Sequence, residues 1–330
     1  MDSIDVLFKK HSFNSRLLLE AMRKRGVALQ PIRKTNFVQA SYKGHKEVLY
    51  DIYTNLVPFT KGIIIDDKYY AKKFLSSKGF KVNTGEIFDG DYKKTALTYA
   101  REIGFPVVVK PTISSHGENV IMDINSVRDL KIAIVTFLSK YNQSAYFLIE
   151  KQFEAKEYRI FVTQSGFIAA VERTPANITG DGKSTIRKLI KVENYRRMNP
   201  RNTCLCKIAI DDISKNHLKK QGLSFSATPT KGQKVFLRKN SNVSTGGNCY
   251  DVTDSMHLSY KKLAKAILNA LNVPFVGIDL LCSDISKNMD DYKVCELNSA
   301  PGLSLHMMPE KGKSRDVANA IVDVIFPPVI

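Results

Sequence analysis

Apolar positions along the chain follow two patterns, short continuous runs and stretches with helical spacing. Continuous apolar runs of this length predict buried strands, and they fall at residues 106–111, 146–150, 275–281 and 292–297. Leu263, Ile267 and Leu271 recur at helical spacing and predict one apolar helix face. Strands and helices alternate throughout, so the fold class is α/β or α+β.

Turn and cap residues mark where several other elements begin and end. Asp67 is a predicted N-cap of a helix that Gly79 ends, and a helix over 91–103 ends at Gly104. Residues 62–65 predict a further buried strand, and Gln164-Ser-Gly166 predicts a hairpin turn. Two more helices are predicted over 126–140 and 315–325, and a small α/β segment over 1–60.

Composition indicates a cytoplasmic globular protein. The 330 residues are 43% hydrophobic, enough for substantial cores. The five cysteines are odd in number and scattered, which favours a reducing compartment over a disulfide framework. The first residues lack the apolar core of a signal peptide, and no apolar run is long enough for a membrane span.

Positive charge is concentrated in one segment. The formal net charge is +18, and residues 183–239 hold fifteen Lys/Arg against three acids, a balance of +12. Such a segment either binds anionic partners or forms a solvated face. Its aromatic residues are Tyr195, Phe225 and Phe236, too sparse for base stacking, which argues against nucleic acid.

Three oxygen-bearing side chains near the C-terminus predict a metal site. Asp279 lies on one apolar run, and Glu296 and Asn298 lie on the next. Residues i and i+2 of a strand face the same side, so Glu296 and Asn298 can reach one ion. Mg²⁺ commonly binds one or two carboxylates together with substrate phosphates. Two core strands with an edge carboxylate are the alternative for this pattern taken alone.

Two lysines and a glycine-containing turn predict a phosphate site. Lys110 ends an apolar strand, and Lys68 begins a helix, where free backbone N–H groups also attract phosphate. The turn at 114–120 would lay backbone amides over phosphate oxygens, although it is not a GxxxxGK[ST] loop. Taken alone, each lysine could simply be solvated and the turn could be an ordinary turn. The interpretation therefore depends on the order of these features along the chain.

That order resembles the ATP-grasp superfamily of carboxylate–amine ligases. It runs from Asp67-Lys68 through Lys110, the His116-Gly117 turn and the 149–159 segment to Asp279 and Glu296-Leu-Asn298. The stretches 176–186, 237–247 and 298–306 are similar to the ATP-grasp half of cyanophycin synthetase. They are also similar to the glutathione synthetase half of bifunctional glutathione enzymes. The resemblance covers about residues 62–327.

The resemblance implies an α+β ATP-grasp fold that holds the nucleotide between two α/β subdomains, with a small N-terminal α/β segment. The expected domains are 1–61 for that segment, 62–148 for the central lid subdomain and 149–330 for the C-terminal subdomain, with the basic insert at 183–239.

The same resemblance assigns cofactor-binding roles to matching positions. Lys68 and Lys110 would hold the ATP phosphates beneath a glycine loop that contains Ser115, His116 and Gly117. Adenine would be recognised by Glu150, Lys151 and Phe153, largely through backbone groups, and the ribose hydroxyls by Glu157.

Roles around the reacting phosphate follow in the same way. Asp279, Glu296 and Asn298 would bind Mg²⁺, with Mn²⁺ as an alternative. Arg238 would face the transferred phosphate, with Arg159 and Arg173 nearby. For these arginines an ordinary surface ion pair is the alternative interpretation.

The implied activity is ADP-forming ligation of a carboxylate to an amine through an acyl phosphate. We expect a small-molecule or peptide carboxylate, specifically an anionic amino acid or peptide, and an amine co-substrate, with Arg196, Arg197 and Arg201 in a lid that captures the acid. A glutathione synthetase-like enzyme and a non-catalytic nucleotide-binding protein remain alternatives. The sequence lacks the P-loop pattern of the second half of cyanophycin synthetase, so polymerisation is not expected. A homo-oligomer is a further option.

Overall fold

The N-terminal part folds as one helix and a four-stranded meander. The computed structural model describes residues 8–9, 11–32, 35–113, 119–198 and 204–327. Helix α1 spans Phe13–Lys24, and strands β1 (Ala28–Pro31), β2 (Phe37–Tyr42), β3 (His45–Tyr50) and β4 (Tyr53–Thr54) pair in chain order. Alternate residues of β2 and β3 are buried, as a half-exposed antiparallel sheet requires. This is the small α/β segment predicted for the start of the chain.

Two consecutive helices follow, and the first one corrects the sequence prediction. Residues 62–65 were predicted to form a buried strand, but they belong to α2 (Phe59–Asp66). Only Ile65 of the three isoleucines is buried, while Ile63 and Ile64 are exposed. A short apolar run does not distinguish strand from helix, and the strand interpretation is wrong here. Helix α3 (Lys68–Ser77) begins at Asp67, whose carboxylate accepts hydrogen bonds from the N–H groups of residues 69 and 70, as predicted.

The second sheet, called the lid sheet here, has the order β5-β8-β6-β7. Its strands are β5 (Gly85–Phe88), β6 (Val107–Pro111), β7 (Ile121–Ile124) and β8 (Phe147–Lys151), all antiparallel. Helices α4 (Lys93–Ile103) and α5 (Val127–Lys140) bury their apolar faces against it. The boundary predicted between residues 148 and 149 falls inside β8.

The third sheet, called the central sheet here, is the core of the molecule. It includes the hairpin β9 (Lys156–Thr163) and β10 (Ile168–Thr174), which turns at the predicted Gln164–Gly166. The other strands are β13 (Asn248–Asp251), β14 (Phe275–Cys282) and β15 (Tyr292–Asn298), in the order β13-β10-β9-β14-β15. Helix α8 (Leu258–Leu271) packs on one face together with α2 and α3. On the other face lie α1 and the last helix, α10 (Val317–Ile325), with the short α9 (Ser304–Met307) between β15 and α10.

A small basic subdomain is inserted between β10 and β13. It consists of the paired strands β11 (Asn177–Thr179) and β12 (Lys234–Phe236) with helices α6 (Ile186–Arg197) and α7 (Asp212–Lys220). It has its own apolar core, to which Ile186, Ile190 and Leu218 contribute. In the part of the chain that the structure describes, no helix is long and apolar enough to cross a membrane.

Candidate active site

A cleft of about 1690 Å³ opens between the lid sheet, the central sheet and the basic subdomain. The predicted site residues that line it are Lys68, Lys110, Glu150, Phe153, Glu157, Arg159, Arg173, Arg238, Asp279, Glu296 and Asn298. Lys151 is not among its lining residues, and Ser115, His116 and Gly117 lie outside the described residues. The cleft therefore gathers residues that are as far apart in sequence as Lys68 and Asn298.

Strand pairing brings the predicted metal ligands together. Asp279 on β14 is the direct partner of Glu296 on β15, and Gly277 is the partner of Asn298. A Cβ atom on Gly277 would lie 2.7 Å from the Cβ of Pro301, so only glycine fits this position next to the bend after β15. The pairing of these two apolar runs, inferred from the sequence, is what the structure shows.

Asp279 is also the centre of a buried ion-pair network. One of its oxygens accepts from Arg159 Nε, and the other accepts from Arg159 Nη2 at 3.0 Å and Arg173 Nη2 at 2.7 Å. Burial by itself would raise the pKa of Asp279, but the two guanidinium groups outweigh it and lower that pKa. Asp279 is therefore an anion in the folded protein.

These side chains fit Mg²⁺ by their chemistry. Two carboxylates and an amide oxygen are hard donors, and Mg²⁺ takes few protein ligands because substrate phosphates and water complete its shell. The buried Nδ2 of Asn298 has no hydrogen-bond partner among the described residues, so protein contacts do not fully engage this amide. Within those same residues, no group of three His, Cys, Asp or Glu side chains could hold a metal, so the donor set that the strands bring together is two carboxylates and the Asn298 amide.

A second buried cluster joins two lysines to one glutamate. Lys110 Nζ lies 2.7 Å from Glu150 Oε2, and Lys72 Nζ donates to Glu150 Oε1. All three side chains are less than a tenth exposed. Burial by itself would lower the pKa of Lys110, but the attraction of Glu150 outweighs it and raises that pKa. For Lys72, burial is the largest effect and, together with the repulsion from Lys110, it lowers the pKa despite the attraction of Glu150. The cluster holds one carboxylate for two ammonium groups.

Lys68 is fixed at the beginning of α3, beside the metal ligands. Its backbone N–H donates to Thr112 O at 2.8 Å, and its Nζ lies 3.5 Å from Glu296 Oε1. Its side chain is 4% exposed. The sequence predicted free backbone N–H groups here, but those of residues 69 and 70 donate to the Asp67 carboxylate, so a phosphate would meet the Lys68 ammonium group and not free helix amides.

The other predicted arginines and Glu157 continue the network along the central sheet. Arg173 bridges Glu157 and Asp279, and Ser241 Oγ donates to Glu157. Burial raises the pKa of Glu157, and this effect is larger than the opposing effect of Arg173. Arg238 pairs with Asp211 at the edge of the basic subdomain. The predicted ribose ligand thus already accepts hydrogen bonds from protein groups in this structure.

Of the residues predicted to recognise adenine, Glu150 and Phe153 line the cleft, whereas Lys151 does not. Phe153 lies below Lys293, whose Nζ is 5.6 Å from the ring centroid. Lys151 Nζ instead donates to the carbonyl oxygens of Gly104 and Phe105, at 3.1 and 2.7 Å. Its ammonium group therefore fastens the turn before β6, and its backbone N–H donates to Thr84 O at 2.9 Å, so the structure does not present Lys151 to a nucleotide in the cleft.

Sequence reasoning missed several residues. Lys72 was not singled out, although it follows Lys68 at helical i+4 spacing. Lys239 was also missed. Its Nζ lies 2.5 Å from Asp123 Oδ1 and 2.8 Å from Glu154 Oε1, so it links the basic subdomain to the lid side of the cleft. No local motif announces such a contact, because its partners are more than 80 residues away in sequence.

The arginines expected to capture the acid have protein partners. Arg196 pairs with Glu193 and Glu310, and Arg197 is buried against Glu193 and the side-chain oxygen of Asn248. Arg201 lies outside the described residues. Arg196 and Arg197 therefore stabilise the base of the basic subdomain, and they do not line the cleft.

Known proteins resemble this chain over most of its length. The cyanophycin synthetase of Crocosphaera subtropica is 28% identical over 327 residues, which cover 96% of this chain and 36% of that protein. The glutathione biosynthesis bifunctional protein of Mannheimia succiniciproducens is 33% identical over 81% of this chain and 36% of its own length. The crystal structure of a bifunctional glutathione synthetase from Pasteurella multocida matches 97% of this chain and 45% of that one, with a TM-score of 0.70 and 28% identity.

These comparisons confirm the resemblance inferred from the motifs. No protein-family model matches the chain. The chain spans little more than a third of the curated relatives it matches. It aligns with both groups of enzymes named from its sequence, and its fold is shared with the glutathione synthetase structure. The chain belongs to the ATP-grasp superfamily.

Proposed function

We propose that the protein is an ADP-forming ligase that joins a carboxylate to an amine through an acyl phosphate. The observation that carries the proposal is the convergence of Lys68 and Lys110 with Asp279, Glu296 and Asn298 in one cleft between two sheets. Such a set suits a metal-bound triphosphate, because the two lysines can bind phosphate oxygens while the other three side chains can bind the metal ion. The ligases among the relatives support the same chemistry.

In the proposed reaction, the substrate carboxylate attacks the γ-phosphate, ADP leaves, and the amine then displaces phosphate. The contribution of this chain is to position the groups and to balance the developing charge. Lys110 and Lys68 would hold the phosphates, and Arg238 would face the phosphoryl group in transit. Mg²⁺, when bound, would supply further positive charge at the phosphate oxygens.

The lid sheet and the basic subdomain would protect the acyl phosphate from water. Both contribute residues to the lining of the cleft, and Lys239 joins them through Asp123 and Glu154. Exclusion of water matters because an acyl phosphate hydrolyses readily if water reaches it before the amine does.

The proposed acid is an anionic amino acid or peptide. Lys220 and Lys234 of the basic subdomain line the cleft, and residues 183–239 carry a net charge of +12. These charges favour anionic substrates in addition to ATP. A glutathione synthetase-like activity is a narrower candidate, favoured by the relative that is 33% identical.

A screen of carboxylate and amine pairs tests the proposal. ADP release is measured for each pair with Mg²⁺, and products are identified by mass spectrometry; γ-glutamylcysteine with glycine is one of the pairs. We expect ADP and an amide in equal amounts, and no ADP from a Lys110→Met variant. Tight ATP binding without an amide from any pair would favour a non-catalytic nucleotide-binding protein instead.

A further inference from the structure

We propose that Lys72 is a positioning residue that neutralises Glu150 and thereby leaves Lys110 available to the nucleotide phosphates. The inference rests on the proposed function, since it concerns how the cleft holds ATP. It deepens that function by giving a role to a buried lysine that does not line the cleft, whereas Lys110 and Glu150 do.

The geometry places Glu150 between two cations from different elements. Lys110 comes from β6 and Glu150 from the adjacent β8, where residues 108 and 150 are direct partners. Lys72 comes from α3 and reaches the opposite carboxylate oxygen. Each oxygen of Glu150 therefore has its own ammonium group, and the Lys72 pair does not depend on the position of Lys110.

The same contact connects the two halves of the cleft. Ala71 and Leu75, the neighbours of Lys72 on α3, are buried in the core of the central sheet. Glu150 and Lys110 belong to the lid sheet. Lys72 thus connects the lid sheet to the central sheet beside Lys110. Cys295 of β15 is a titratable neighbour of both lysines.

Charge balance explains why the second lysine matters. With Lys72 absent, Glu150 and Lys110 would form a neutral buried pair, and Lys110 would have to leave an unpaired carboxylate in order to reach a phosphate. A buried carboxylate without a partner is costly. With Lys72 in place, Glu150 keeps a counter-ion while Lys110 engages the phosphate, so the cost falls.

Isothermal titration of the full chain with Mg²⁺ and a non-hydrolysable ATP analogue tests this role, with AMP as the comparison ligand. We expect Lys72→Met to weaken analogue binding about tenfold and to leave AMP binding nearly unchanged. The double variant Lys72→Met/Glu150→Gln should recover most of the loss, because no carboxylate then retains Lys110. Lys72→Gln should behave like Lys72→Met, and it serves as the second variant if the methionine variant does not fold.

Lys73→Met is the matched control. Lys73 lies on the same helix and also pairs with the lid sheet, through Glu86 at 3.0 Å, but at the surface. It should bind both ligands like the wild type. The proposal is overturned if Lys72→Met binds the analogue like the wild type, loses AMP and analogue equally, or gains nothing from Glu150→Gln. A wild type that binds no analogue refutes the proposed function itself, and this inference with it.

Discussion

At the scale of single residues, the buried imidazole of His306 links stability to pH. His306 is fully buried on α9, and both of its ring nitrogens lack hydrogen-bond partners among the described residues. Burial, reinforced by the nearby Arg159, lowers its pKa from 6.5 to about 3. Between these two values the unfolded chain binds a proton that the folded chain does not, so stability falls as pH decreases from 6.5 towards 3.

Replacing His306 should remove this part of the pH dependence. When the pH is lowered from 7 to 5, the unfolding free energy of His306→Leu should decrease by about 2 kcal/mol less than that of the wild type. Denaturant unfolding at both pH values measures the difference. His45→Gln, at an exposed position, is the control and should keep the wild-type dependence. Equal pH dependence for His306→Leu and the wild type would show that folding leaves the pKa of His306 unchanged.

Glu296 offers a direct test of the proposed metal site. Its side chain is 26% exposed in the cleft and lies 3.5 Å from Lys68 Nζ. Glu296→Gln keeps the shape but removes a charge, so the Mg²⁺ concentration for half-maximal ADP formation should rise about tenfold. Titration of Mg²⁺ at saturating ATP measures it. Asp291→Asn, which removes the carboxylate of an exposed ion pair with Lys81, should leave that concentration unchanged.

At the scale of elements, the beginning of α3 joins stability to nucleotide binding. The Asp67 carboxylate caps the helix with two hydrogen bonds of 2.9 Å, and Lys68 is the first helical residue. Asp67→Ala should cost about 1 kcal/mol of unfolding free energy and, by loosening Lys68, weaken ATP binding as well. Thermal melts and nucleotide titration measure the two effects.

Helix α5 provides the control for this prediction. Its N-cap, Ser126, makes a comparable hydrogen bond to the N–H of Asp129 at 3.1 Å. Ser126→Ala should lower stability to a similar extent, yet it should keep wild-type ATP affinity because the beginning of α5 does not line the cleft. If both variants bound ATP equally well, the cap of α3 would serve the fold alone.

The elements also show what the sequence could predict and why. Strands such as β6, β8 and β14 were predictable because their continuous apolar runs reflect burial on both faces. The helix α2 was not, since three consecutive isoleucines carry no periodicity, and tertiary contacts left two of them exposed. The order of Lys68, Lys110 and Asp279 along the chain indicated the site. Lys72 and Lys239 remained hidden because their importance depends on partners brought close only by the fold.

At the scale of the whole molecule, one lysine connects the basic subdomain to the lid side of the cleft. Lys239 of the basic subdomain reaches Glu154, just after β8, and Asp123 on β7, which itself has a left-handed backbone conformation with φ 58°. Gln152 supports the same carboxylate of Asp123 through its side-chain amide at 3.1 Å. One ammonium group therefore holds two sides of the entrance together.

Loss of this contact should separate ATP consumption from amide formation. In Lys239→Met the entrance would open more readily, and water would reach the acyl phosphate before the amine does. We expect ADP formation to continue while amide per ADP falls about threefold or more. The ratio of the two products, from coupled ADP detection and mass spectrometry, measures the effect. Lys231→Met, on the exposed surface of the same subdomain and away from the cleft lining, should keep a ratio of one. A wild-type ratio in Lys239→Met would mean that the lid sheet alone keeps water out.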